Sequence, residues 1–428
     1  MTTDPGPGGR PAADPYGSAP MTGRTVSPRS YGFLYFDSHP VGCARHVRDL
    51  WRAVPGPTAA TSAGGGPVAL VVGSSAGYGL AATIAGLARV GIRGVGVCSE
   101  KPTTDRRTAT AGWYRTAATA ELARRHGRDM VFVNGDAFAD TTKEQVAELL
   151  RDRFGGRLDY LVHSVAAPRR TDPDTGVGYT SALRPVGSAC RTRTLLFDDG
   201  CAAEVSEVEV RPAGQDEIDQ TIAVMGGADW ARWIDHLADR GLLADGFSTV
   251  ALSYVGSALT APIYRHGTIG AAKAHLERTA RELDGRLGTL VGGRAMISVN
   301  GVAVTQSSTV IPGVALYVAL LRGVLGEAFV PPVAQLTELW DRITGARPLD
   351  VDDEGRVRLD GWELDPAVQA AVADRWAAAS NDTIGDLADL DWLRTEVRRL
   401  YGFAVPGVDY AAAVRTDVPW PGAEGTGS

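Results

Sequence analysis

The stretch PVALVVG at 67–73 runs directly into SSAGYG at 74–79, and this junction decides the fold. The first part is a continuous, valine-rich apolar run, the composition of a strand buried on both faces. The second is punctuated by glycine, and LAATIAGLARVG at 80–91 then repeats its apolar residues at helical spacing. Gly73, Gly77 and Gly79 fit a G-x-x-x-G-x-G turn of the kind that binds dinucleotides. Glycine is needed where the chain bends sharply, where backbone approaches a pyrophosphate and where the helix packs tightly on the strand. The following helix offers free N–H groups and a positive dipole end to phosphates. Taken alone, the same glycines also suit a purely structural turn.

Outward from the junction the pattern repeats. Strands are predicted at GVGVCS (94–99), DMVFV (129–133) and LDYLVHSVA (158–166), with helices near 116–127 and at KEQVAELLRDRFG (143–155). Strand–helix alternation at this spacing implies βαβ crossovers and therefore an α/β fold, a Rossmann-type doubly wound parallel sheet. Glu100 follows the second strand, about twenty positions past the glycines, where a carboxylate can accept both adenosine ribose hydroxyls and repel a 2′-phosphate. That favours NADH over NADPH. A solvated glutamate beside Lys101, Arg106 and Arg107 is the competing reading. Asp136 sits where a carboxylate reaches the adenine amino group or caps the next helix, and Ser164 and Val165 either pass the nicotinamide ribose or simply end a buried strand.

The whole chain has 428 residues, 44% hydrophobic and 22% charged, enough for a substantial core, and its formal net charge of −7 lacks the basic footprint of a nucleic-acid binder. Cys43, Cys98, Cys190 and Cys201 show neither metal-ligand spacing nor a disulfide framework, and read as reduced, mostly buried thiols of a cytoplasmic protein. No run of eighteen apolar residues exists to cross a membrane. Residues 1–29, rich in Pro, Gly, Ala and Asp, read as a disordered N-terminal arm, and 416–428 as a flexible tail.

The chemistry falls in SYVGSALTAPIYRHGTIGAAKAHLERTARELDGRL at 253–287. A helix is predicted from Ile269, with Thr268 as its N-cap and Lys273 in its second turn. Tyr264 precedes Lys273 by nine residues. On one unbroken helix that spacing would set the two about 180° apart and about 13 Å along the axis. A working pair therefore requires Tyr264 on the loop before the helix, which Pro262 and Gly267 favour.

Seven blocks now line up: GSSAGYG (73–79), TAGWY (110–114), NGDAF (134–138), SVAAPRRTDP (164–173), AVMGGADWARWID (223–235), the Tyr-x8-Lys segment and VTQSSTVIP (304–312). In this order the chain resembles the FabV-type enoyl reductases, also called trans-2-enoyl-CoA reductases, from about Ser30 to Val418. The resemblance implies NADH-dependent reduction of the trans-2 double bond of enoyl thioesters carried on CoA or acyl carrier protein. It implies a monomer, with additional helical lid elements enlarging the Rossmann-type sheet. A single reductase domain would span 30–415, its cofactor half about 60–190 and its substrate and catalytic half about 200–415. By resemblance Tyr264 is the proton donor, Lys273 holds the cofactor and Tyr254 meets the substrate thioester. The cofactor positions it implies are Gly73, Ser74, Ser75, Ala76, Gly77, Tyr78, Ser99, Glu100, Asp136, Ala137, Ser164, Val165, Val302, Ala303, Val304 and Thr305. A neighbouring Lys273 ammonium is expected to lower the Tyr264 pKa.

The chain departs from the family at Arg265 and His266 (an aromatic and a small polar residue expected), Ala274 and Gly301 (lysines expected), and Gly313-Val314 (bulkier residues expected). An unusual acyl group from specialised metabolism is the alternative these positions raise. A short-chain-type carbonyl or alcohol dehydrogenase and a non-catalytic dinucleotide sensor are the rival readings. The first sits badly with the wide Tyr–Lys spacing, the second with retention of both residues. Of the remaining signals, DVDDEG at 350–355 begins like a calcium loop but places Gly361 where a glutamate is required, so a hairpin turn and no metal site is expected. Trp230 and Trp233 read as core anchors or lid packing, His163 as structural, Arg169 and Arg170 as phosphate contacts or a salt-bridged pair, and 310–326 as a buried helix walling the acyl pocket.

Overall fold

The structure, a computed structural model, describes residues 23–57, 65–196, 203–308 and 311–422. Numbered along the chain, the short ribbon β1 (Ser30–Tyr31) and β2 (Leu34–Tyr35) leads into α1 (Pro40–Ala53). The wound half follows: β3 (Val68–Val72), α2 (Gly77–Ala85), β4 (Arg93–Cys98), α3 (Ala111–Arg125), β5 (Met130–Asn134), α4 (Asp140–Phe154) and β6 (Leu158–His163). Two ribbons come next, β7 (Arg169–Thr171) with β8 (Gly178–Thr180) and β9 (Cys190–Leu196) with β10 (Glu204–Val210). Then come α5 (Gln215–Met225), α6 (Ala228–Ala238), β11 (Leu243–Ser253), α7 (Thr268–Val291), β12 (Arg294–Val299), α8 (Val314–Leu325) and α9 (Pro332–Ile343). The chain ends with β13 (Arg356–Arg358), α10 (Pro366–Ala378), the single turn α11 (Ile384–Leu387) and α12 (Leu390–Arg399).

Seven strands form one parallel sheet in the order β13-β12-β11-β6-β3-β4-β5. Both its faces are covered, as the unbroken apolar run at 68–72 requires. Val68, Leu70 and Val72 enter a core with α4, α6 and α7, where Trp230 and Trp233 lie fully buried as anchors. Ala69 and Val71 enter the opposite core with α2 and α9, around Trp340. A third core joins α8, α10 and α12 through Leu316, Leu320, Val372 and Leu393. From β3 the chain winds outward through β4 and β5, then returns to place β6 on the other side of β3. The β3–β6 junction is thus the topological switch point, and ligands bind outside the carboxyl ends of the strands there.

Several local expectations change. The fourth strand stops at His163, so Ser164 and Val165 lie on the loop beyond it. Gly267 is the N-cap of α7; Thr268 is its first residue, and its hydroxyl donates to the Ala182 carbonyl from across the fold. The Asp352 turn opens no hairpin, because β13 pairs parallel with β12 at the sheet edge, and Arg356 closes back on the Asp352 carboxylate at 2.8 Å. Both terminal expectations shorten. Residues 23–29 of the expected arm are folded, with Arg24 bridging Val414 and Val26 buried. Residues 416–422 of the expected tail cross the edge strand β5, where the Trp420 indole donates to the Phe132 carbonyl at 3.0 Å and stands edge-on to Trp113.

Cys43, Cys98 and Cys190 are free thiols, with burial pushing the first up to about 11 and the second up to about 12; Cys201 lies outside the described residues. Among the described residues, no single helix is long and apolar enough to cross a membrane, and no cluster of three or more His, Cys, Asp or Glu could hold a metal ion.

Candidate active site

The glycine turn sits at the switch point. Gly73 has φ +90°, and a Cβ there would lie 2.0 Å from the Ser164 carbonyl oxygen. A Cβ on Gly79 would meet the Gly73 carbonyl oxygen at 1.9 Å. The turn therefore excludes any other residue on both counts, and its backbone is left bare for a pyrophosphate at the N-terminus of α2.

Glu100 is no free surface group. Its carboxylate accepts from the hydroxyls of Ser75, in the glycine turn, and Thr110, while Asn134 brackets its backbone at 2.7 and 3.0 Å. Gly112 makes room for it, since a Cβ there would lie 1.9 Å from Oε1. Asp136 does not cap α4. Its carboxylate accepts from the Phe138 N–H at 3.0 Å and shapes the 136–138 loop. The same loop is held from beneath, because the buried Lys143 donates to the carbonyls of Ala137 and Phe138 and to Asp229, each within 3.0 Å. Asp229 also lies 3.8 Å from His163, the partner that sequence reasoning could not name. Arg170 is buried, donating to the Ala223 carbonyl and lying over the Phe138 ring, whereas Arg169 is exposed.

Beyond the turn opens a cavity of about 450 Å³. Tyr78, Ser164, Val165, Tyr254, Tyr264, Lys273, Val302, Ala303 and Thr305 all line it, so residues from six separate segments meet around one space. Its other walls are largely apolar: Leu183, Met225, Ile269, Ile311 and Val314. Only Val314 of α8 reaches the cavity; most of that helix is spent on the third core. Tyr264 lies on turns between β11 and α7, as the nine-residue spacing demanded, and its ring stands edge-on to Tyr254 with centroids 4.9 Å apart. No described residue hydrogen-bonds its hydroxyl. Lys273 donates to the Leu252 carbonyl at 3.2 Å, and burial brings its pKa down to about 8 against the opposing pull of Glu277. The expected lowering of the Tyr264 pKa does not occur. Burial raises it and the nearby Glu363 raises it further, while Arg265 is the cation acting in the other direction.

Two departures find their causes here. Gly301 faces the Trp362 ring, 2.4 Å from where a Cβ would stand, so the expected lysine has no room; its carbonyl instead accepts from the Tyr78 hydroxyl. Gly313 has φ +83° at the start of α8, which a bulkier residue would strain. Arg265 pairs with Glu277 at 3.1 Å, fastening the tyrosine loop to the lysine helix, and His266 and Ala274 make no such contact in the described structure.

Sequence reasoning missed the group beneath the tyrosines. Glu363, fully buried in the turn before α10, accepts from Tyr254 at 2.8 Å and Tyr317 at 2.9 Å on Oε1, and from the Val302 N–H at 2.5 Å on Oε2. It stands 109 residues from Tyr254 in sequence, and no spacing rule links the two.

A doubly wound sheet whose glycine turn, inward-facing Glu100 and Tyr264–Lys273 pair gather at the switch point defines a Rossmann-type, dinucleotide-dependent reductase. Family models described as the NAD(P)H binding domain of trans-2-enoyl-CoA reductase, the trans-2-enoyl-CoA reductase catalytic region and the enoyl reductase FAD binding domain match residues 25–105, 107–343 and 351–414. The chain belongs to the trans-2-enoyl-CoA reductase family. It is 58% identical over 396 residues to the enoyl-[acyl-carrier-protein] reductase [NADH] of Streptomyces avermitilis, covering 92% of this chain and 100% of that protein. It is 43% identical over 403 residues to the protein of the same description from Burkholderia pseudomallei, covering 92% and 98%. Two crystal structures superpose with a TM-score of 0.85: the trans-2-enoyl-CoA reductases of Clostridium acetobutulicum with NADH (34% identity, 92% and 98% covered) and Treponema denticola with NAD (37%, 92% and 99%).

Residues 351–414 do not fit a flavin. Asp365 and Asp389 already cap the N-termini of α10 and α12, placing carboxylates where flavin phosphates would need bare N–H groups, and the segment lines no part of the cavity. By contrast the bare turn at 73–79 fits a dinucleotide, with Glu100 and Lys273 available for its riboses.

Proposed function

We propose that this protein reduces the trans-2 double bond of enoyl thioesters with NADH, and that Tyr264 is the acid of the reaction. The observation that carries the reading is the Tyr264 phenol, protonated, buried and without a hydrogen-bonding partner among the described residues, facing a largely apolar cavity that continues past the dinucleotide turn. NADH, when bound, supplies the hydride for the β-carbon. The chain's own task is to meet the charge that then collects on the thioester oxygen. A phenol O–H aimed at that oxygen stabilises the enolate where its charge develops. It then passes on the proton that completes the saturated acyl thioester. In this reading Lys273, which donates to the Leu252 carbonyl, holds the nicotinamide ribose and Tyr254 meets the thioester; that both line the one cavity supports it. Ser75, Glu100 and Thr110 form the ribose end, where a carboxylate disfavours a 2′-phosphate. The apolar walls at Leu183, Met225, Ile269 and Ile311 suit an acyl chain, and either CoA or acyl carrier protein could bear it.

The test is Tyr264→Phe assayed with crotonyl-CoA and NADH. Turnover should fall by about 100-fold or more, the scale of a lost general acid, with NADH affinity within twofold of wild type. Turnover near that of wild type would remove Tyr264 from the chemistry.

A further inference from the structure

The Tyr254 hydroxyl has one proton, and the protein already claims it. Tyr254 and Tyr317 both donate to Oε1 of Glu363, and Oε2 is taken by the Val302 N–H. While all three bonds stand, Tyr254 can only accept from a substrate; it has nothing to donate to a thioester oxygen. We propose that Glu363 is a positioning residue that sets the direction of the Tyr254 hydrogen bond: as a carboxylate it draws the phenol proton inward, and as a carboxylic acid it donates to the phenol oxygen and frees that proton for the substrate. This rests on the reading that Tyr254 meets the thioester.

The surroundings favour such an exchange near neutrality. Burial pushes the Glu363 carboxyl up to about 7, with the two phenols and the Val302 N–H pulling the other way. The phenols facing it do not share its range. Tyr78 on α2 and Tyr264 before α7 are held protonated by burial, as are Tyr254 and Tyr317. Asp360, on the same turn, is committed to Arg358 at 2.7 Å. Gln369 on α10 locks the arrangement, donating to the Tyr317 hydroxyl at 3.0 Å and to the Glu363 carbonyl at 2.8 Å. Val302 belongs to the segment lining the cavity, so one carboxyl ties the tyrosine to the loop opposite it.

Glu363→Gln separates the two states. The Val302 N–H needs an acceptor, so the amide oxygen must face it and the NH₂ must face the tyrosines. Both phenols then accept, and the Tyr254 proton is free at every pH. With crotonyl-CoA at saturating NADH, wild-type kcat/KM should fall about tenfold as pH rises through 7, the value of one neutral hydrogen bond. A separate decline near 8 is expected as Lys273, whose pKa burial brings down, loses its charge. In Glu363→Gln the step near 7 should vanish, with low-pH activity retained and the decline near 8 unchanged. If the substitution prevents folding, Tyr317→Phe carries the test. Removing one hydrogen bond to the carboxylate should move the step to higher pH.

A wild-type-like step near 7 in Glu363→Gln, or an unmoved step in Tyr317→Phe, would overturn the proposal. Tyr254→Phe distinguishes the two readings. If it leaves kcat/KM unchanged throughout, Tyr254 does not meet the substrate and both readings fail. If it lowers kcat/KM while Glu363→Gln still shows the step, only the role of Glu363 fails. Neither result bears on Tyr264.

Discussion

Glu100 shows how one side chain can be placed by sequence and yet be explained only by its neighbours. Its position after the second strand marks it as a ribose-side carboxylate, but an exposed glutamate would satisfy the same spacing. What removes the ambiguity is Gly112: without a Cβ at the start of α3, the carboxylate tucks inward to Ser75 and Thr110. Under the proposed function those acceptor sites serve the ribose hydroxyls of NADH. Glu100→Ala should therefore weaken NADH binding about tenfold or more, the worth of one charged hydrogen bond, and strengthen NADPH binding by relieving repulsion. Titration of both nucleotides by fluorescence measures the ratio of their dissociation constants. An unchanged ratio would mean that another residue selects the cofactor.

At the scale of elements, the loop carrying Tyr264 and the helix carrying Lys273 are joined by a contact the family resemblance did not anticipate. Arg265 reaches Glu277 more than two turns along α7, and Arg356 of β13 approaches the same largely buried carboxylate at 3.6 Å. A partly exposed pair contributes little to stability, about 1 kcal/mol or less. Its consequence is positional, because a reacting group misplaced by about 1 Å can cost up to about 100-fold in rate. Arg265→Ala should leave the melting temperature nearly unchanged while lowering kcat about tenfold, and calorimetry beside steady-state kinetics would show it. A large loss of stability with normal kcat would assign Arg265 to the fold instead. Helix α7 was legible from its apolar spacing, and so was the requirement that Tyr264 leave the helix. The N-cap was not, because whether Thr268 caps α7 or reaches Ala182 depends on the loop between β8 and β9, 86 residues away.

For the whole molecule, the last described residues cover part of one sheet edge. Strand β5 is an edge, and an uncovered edge offers unpaired backbone groups to other chains. Trp420 shields part of it through its bond to Phe132 and its packing on Trp113. Trp420→Ala should lower stability by about 1–3 kcal/mol, the range for a large, partly buried apolar side chain, and increase aggregation on heating. Denaturant titration and light scattering would detect both, and a variant as stable and soluble as wild type would show the Trp420 contact to be dispensable. The tail's composition, rich in Pro and Gly, conceals this role, since a loose-looking segment becomes ordered once the sheet supplies a place to dock. The sequence by itself determined the alternation of strand and helix, the glycine turn, and the need for Tyr264 and Lys273 to lie on different elements, because each follows from local periodicity or from steric demands on a few neighbouring residues. Only the tertiary structure decided that Glu363 holds Tyr254, that Trp362 keeps Gly301 a glycine, and that Trp420 covers part of the sheet edge, because those contacts join residues that no local spacing relates.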